Sequence, residues 1–127
     1  MDRALRQGAA RLGWAAIVVL GYEAGAWLRI GVTTDVAAMV KQMQTMHPET
    51  VAPRHVVFAA DRLLAERVVR QALELARGRN QLLKGSCVAM SVGAAAATIA
   101  AAAGMARVEL HSEAEWRAAA RRAAECG

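Results

Sequence analysis

WLRIGVTTDVAAMVKQMQTMHPE, residues 27–49, holds the local signals around which the rest of the chain is placed. Its first six residues alternate, with Leu28 and Ile30 on one side of a strand and Trp27, Arg29 and Gly31 on the other. Gly31 leaves that second side open to a backbone or a ligand. Thr33, Thr34 and Asp35 supply helix-start chemistry, a side-chain oxygen that can accept a backbone N–H. Val36, Met39, Val40 and Met43 follow at helical spacing and make one apolar stripe. Pro48 disfavours helical backbone at His47, so the helix ends by about there.

Working backwards, residues 1–12 read as a basic amphipathic lead-in. Leu5, Ala9 and Leu12 share a face, and Arg3, Arg6 and Arg11 stay in water. Gly13 ends it. WAAIVVL, residues 14–20, is a short apolar run rich in β-branched residues, which predicts a strand covered on both faces. Residues 21–26 contain two glycines and fit a hairpin connection.

Working forwards, Pro53 introduces a third strand over roughly 54–59. Asp61 caps a helix with Leu64, Val68, Ala72 and Leu75 as its buried stripe, stopped by Gly78. Glu66 lies off that stripe, one turn from both Arg62 and Arg70, where it fits an exposed ion-pair ladder. Residues 79–85 are a polar loop. Ser91 opens an Ala-rich helix that Gly104 ends. Ser112 and Glu115 form a capping box for a last helix, with Trp116, Ala119, Ala120 and Ala123 facing inward. The expected architecture is α/β of the α+β kind: a small three-stranded, mainly antiparallel sheet flanked by helices, with an extra C-terminal helix. The expected divisions are a lead-in over 1–13, a core domain over 14–106 and a C-terminal helix over 107–127.

Composition narrows the function classes. The chain has 127 residues, enough for one domain with a real core. Its apolar fraction of 56% includes 31 alanines, which favour helix and close contacts. A net charge of +5 points to an anionic partner, nucleic acid first, or to a basic surface that keeps the protein in solution. Cys87 and Cys126 fit no Cys-x-x-Cys pattern, and the three histidines are scattered, so neither a disulfide framework nor a zinc site is expected. The reading places the protein in a reducing cytoplasm or in a phage particle. The apolar run after Arg3, Arg6 and Arg11 is short and is followed by Tyr22 and Glu23, so no signal peptide is expected. Residues 86–106 carry no charge but are mostly Ala, Gly, Ser and Thr, a soluble helix and not a membrane span.

Arg29-Ile30-Gly31, Thr34-Asp35 and Gln44-Thr45-Met46-His47-Pro48, in this order and spacing, resemble the GIY-YIG nuclease superfamily. The closest likeness is to the phage-associated branch, where a Lys-Ile-Gly strand leads through Thr-Asp into a helix and a Gln-Thr-x-x-Pro turn. The resemblance covers roughly residues 15–103. It implies a GIY-YIG-like domain, with Gly85-Ser86-Cys87-Val88 as a worn counterpart of the family's Gly-Glu-Trp-Phe turn. Family chemistry would use a first-strand Tyr, a helix Arg on the phosphate and a Glu on magnesium. The first Tyr falls near Ile17 or Val18, both apolar, and the helix Arg falls on Met39. Arg29 replaces the second-motif Tyr. Only Glu66 matches.

The resemblance therefore implies a catalytically degenerate, nucleic-acid-binding domain, with DNA favoured over RNA. Arg29, Lys41, Arg54, Arg67, Arg70 and Lys84 are its candidate phosphate contacts. One alternative is a structural module of a phage or prophage assembly, with the Ala-rich helix on a protein partner. The other is a divergent endonuclease using Tyr22, Arg29 and a magnesium ion on Glu66. Each of these cations can equally be an ordinary solvated side chain.

Overall fold

The computed structural model describes residues 2–22 and 27–126. Among them the order is α1 (Arg3–Leu12), β1 (Ala15–Tyr22), β2 (Leu28–Thr33), α2 (Val36–Gln44), β3 (Val51–Ala59), α3 (Arg62–Gly78), β4 (Cys87–Val88), α4 (Val92–Ala106) and α5 (Glu113–Glu125). The strands form one antiparallel sheet in the order β3-β1-β2-β4. The expected hairpin connection falls in part on residues 23–26, which lie outside the described residues.

β1 is central, and every residue from Ala15 to Gly21 is buried. That is why the run is apolar without alternation: both faces are covered. On one face Ile17, Val19, Leu28 and Ile30 pack against α3 and α4 through Val68, Ala72, Ala95 and Ile99. On the other, Ala16, Val18, Leu20 and Phe58 pack against Val36, Met39, Val40 and Met43 of α2 and Trp116 of α5. The apolar stripe read for α2 is thus the one that is used.

Capping chemistry sets the helix starts. Asp2, Asp35, Asp61 and Ser91 each accept a backbone N–H three residues on, at Leu5, Ala38, Leu64 and Ala94. Ser112 and Glu115 make the full capping box of α5. Gly13 ends α1 with φ of 71°, a left-handed turn that glycine adopts without a Cβ clash.

Four readings are corrected. The sheet has a fourth strand, because Cys87–Val88 pairs with Leu28 and Arg29 where a turn was expected. A two-residue strand carries no periodicity, so nothing in the residues marks it. β3 begins at Val51 and contains Pro53. The sheet tolerates a residue without an N–H there because β3 is an edge strand, and the pairing with β1 shifts between Val19 and Leu20, opposite Pro53. The buried stripe of α3 is turned by about one residue, with Ala65, Val69 and Ala76 inside beside Val68 and Ala72, while Leu64 and Leu75 are half-buried. α4 runs past Gly104 to Ala106 and ends on Arg107, itself left-handed at φ 57°.

After α4 the chain rounds the open edge of β3. Phe58 and His111 exchange two backbone hydrogen bonds of 2.8 Å there. This pairs the Phe58 end of an edge that would otherwise invite another strand. It also carries α5 to the α2 side of the sheet, where α1 packs along it.

Candidate nucleic-acid interface and cleft

The segment matched to the nuclease motif forms a real local unit. Gln44, at the end of α2, donates to the carbonyls of His47 (3.2 Å) and Glu49 (2.8 Å) and accepts the Val51 N–H (2.8 Å). One amide thereby holds the whole turn between α2 and β3. Tyr22 bonds the His47 ring through its hydroxyl, and Trp27 lies against both rings. Gln44→Ala is expected to remove three hydrogen bonds, one to a backbone N–H, and to cost about 2 kcal/mol. Urea unfolding would measure it, and a loss below a few tenths would mean the turn holds without Gln44.

Over Gly31 sits Met39. A Cβ at Gly31 would come 3.0 Å from the Met39 Cε, so the glycine makes room for the thioether. The hollow beside it, about 260 Å³, is lined by Leu20, Arg29, Val32, Gln42, Met43, Met46 and Ser86 as well as these two, with no carboxylate. The Arg29 guanidinium lies 3.2 Å from the Met43 sulfur. Ile17 and Val18, where the resemblance puts a strand Tyr, are fully buried on opposite faces of β1.

Glu66 stands apart from this hollow. It lies on α3, on the other face of the sheet from α2, and its oxygen is 3.0 Å from Nε of Arg62. Its side chain is 42% exposed, so the pair is one rung of the surface ladder that the sequence spacing describes, the one to Arg62 and not the one to Arg70. The structure does not bring Glu66 together with Arg29 and Tyr22. Among the described residues no three His, Cys, Asp or Glu side chains gather where they could hold a metal ion.

The six candidate phosphate contacts also divide. Arg29 and Lys41 belong to the α2 side. Arg54 is tied to the Tyr22 carbonyl at 2.9 Å. Arg67 and Arg70 lie on α3, across the sheet, where Arg67 reaches the Ala106 carbonyl at 3.4 Å. Lys84 is exposed in the loop before β4. Arg29 and Lys41 on one face and Arg67 and Arg70 on the other therefore do not share one groove among the described residues.

What the residue pattern did not reveal is a cleft of about 1510 Å³ on the α2 side of the sheet. Arg6, Ala9, Ala10 and Trp14 wall it from α1 and the turn after it, and Trp116 and Arg117 from α5. Val36, Ala37, Val40 and Lys41 of α2 face them, over a floor that includes Ala16, Val56 and Phe58. Trp14 stacks on His111 with ring centroids 4.3 Å apart, and Trp116 on Phe58 at 4.8 Å. Each tryptophan is held on a protein ring and half-buried. Beside them Glu115 accepts the Ser112 N–H and lies 3.2 Å from the His111 ring. Those bonds, the backbone N–H first and the imidazole second, hold its carboxyl below the usual glutamate range. The two tryptophans are 102 positions apart in the chain, so only the pairing of α1 with α5 joins them.

No protein-family model, no curated protein and no solved structure gives a significant match to this chain. Among the described residues no helix is long and apolar enough to cross a membrane. The Ala-rich α4 instead packs its small side chains on α3, through Ala95, Ile99, Ala102 and Ala103.

Proposed function

We propose that this chain is a nucleic-acid-binding domain of GIY-YIG-like descent without hydrolytic chemistry of its own. The observation that supports it is how the charges are engaged. The acidic groups are mostly occupied locally. Asp2, Asp35 and Asp61 sit at helix starts, and Glu66, Glu74 and Glu113 pair with an Arg one turn away. Among the described residues Arg3, Arg70, Arg79, Lys84, Arg107 and Arg121 are exposed and take part in no ion pair. A polyanion gains from such cations by releasing its condensed counterions, with little regard to base sequence. DNA is the expected partner, ahead of RNA.

A mobility-shift titration tests this. The protein is expected to retard duplex DNA at low salt, and each phosphate contact should contribute a slope of about −0.9 to the plot of log affinity against log salt. Unchanged mobility at low salt would sink the proposal. Glu66→Ala should leave binding intact, since it removes only an exposed pair worth a few tenths of a kcal/mol. Magnesium-dependent plasmid nicking by the wild type that vanishes in Glu66→Ala would replace this reading with an endonuclease.

A further inference from the structure

The cleft between α2 and the α1–α5 pair does not suit the polyanion proposed above. Its ionisable lining is Arg6, Lys41 and Arg117 against Asp35 and Glu113, which leaves a single net positive charge. Arg117 is already paired with Glu113 at 3.2 Å, and Asp35 caps α2 by accepting the Ala38 N–H at 3.1 Å. Two cations remain without an ion-pair partner among the described residues, Arg6 on one wall and Lys41 on the other. Between them the surface is apolar: Trp14, Trp116, Val36, Val40, Val56 and alanine.

We propose that this cleft binds a free amphipathic monoanion, an acid whose apolar body lies along the two tryptophans and whose carboxylate is attracted by the unpaired cations of the lining, Arg6 and Lys41. The lining fits a small-molecule site, mostly apolar with a few charged groups that fix orientation. The tryptophans are held in place by their own stacking partners, so little rotamer freedom is lost when a ligand packs on them. A chain of phosphates would bring one negative charge per nucleotide to a cleft with two unpaired cations, which argues against nucleic acid here. The inference goes beyond the nucleic-acid reading and does not depend on it.

Tryptophan fluorescence reads the site directly. Trp27 lies elsewhere, against Tyr22 and His47, so Trp27→Phe leaves only the two cleft reporters. Dodecanoate below its micelle concentration is expected to change that emission saturably. Lys41→Gln or Arg6→Gln should weaken dodecanoate by about tenfold and leave uncharged dodecanol unchanged. Ala37→Phe, at an exposed helix position on the cleft wall, should abolish both without altering the circular dichroism. A response that does not saturate, that survives Ala37→Phe, or that is equal for acid and alcohol in every variant would overturn the proposal. So would a chain of doubled mass that ignores dodecanoate, which would mean a second copy covers the cleft. Displacement of dodecanoate by a short single-stranded oligonucleotide would overturn it in favour of nucleic acid. Binding to anionic vesicles without any response to the free acid would overturn it in favour of a membrane surface.

Discussion

Gly8→Ala is expected to destabilise the protein by about 3 kcal/mol, although the same change in an exposed helix interior stabilises by up to about 1 kcal/mol. The sign reverses because of α5. A Cβ on Gly8 would lie 1.7 Å from the carbonyl oxygen of Ala120 and 2.6 Å from its carbon, while ordinary contact begins at 3.4 Å. Both neighbours are backbone, so no side chain can rotate away. The two helices must separate, which loosens Leu5, 1% exposed, and Ala120, fully buried. The loss is limited by the free energy of releasing α1 altogether, after which the sheet and α2 to α4 can persist. Gly104→Ala is the matching control. Gly104 lies inside α4 and nothing approaches within 4 Å of its would-be Cβ, so alanine there should be neutral to stabilising. Paired urea melts of the two variants measure the contrast. Equal stability of Gly8→Ala and wild type would show that α1 does not pack on α5 in this way.

Ile17→Ala should cost about 3 to 4 kcal/mol, the upper-middle range for truncating a buried isoleucine. Ile17 is fully buried at the centre of β1, opposite Val32 on β2 and Val57 on β3, and belongs to the core shared with α3 and α4. Sheet neighbours on both sides restrain the backbone, so the surroundings cannot collapse into the space. Against a typical total of 5–15 kcal/mol this is a large fraction. Val57→Ala, on the edge strand and half-buried, should cost clearly less. Denaturant midpoints of the pair decide it. A larger loss for Val57→Ala would mean that β1 is not the centre of the sheet.

The elements legible in the residues were those with a long period or a chemical marker. The run of residues 14–20, the alternation around Leu28 and Ile30, the Asp35 and Asp61 caps and the Ser112–Glu115 box each act within a few residues. Local signals of this kind survive whatever the rest of the chain does. β4 was not legible because two residues have no period, and its existence depends on the free edge of β2. Pro53 argued against strand at its own position, and only the edge placement of β3 removes the objection. Among the candidate site residues, the match of Glu66 to a nuclease pattern was a statement about order along the chain. It said nothing about which face of the sheet α3 would cover.

By itself the sequence determined the α+β class, the antiparallel pairing of β1 and β2, the stripe of α2 and the helix starts at Asp35, Asp61 and Ser112. All of these follow from side-chain periodicity and from hydrogen bonds made within a turn. Tertiary structure alone decided that Glu66 and Arg29 lie on opposite sides of the sheet, and that Met39 occupies the space over Gly31. It also decided that Gly8 meets Ala120 and so sets Trp14 and Trp116 on one cleft. Those contacts join residues far apart in the chain, and their geometry depends on how helices pack on a sheet, which no local pattern encodes.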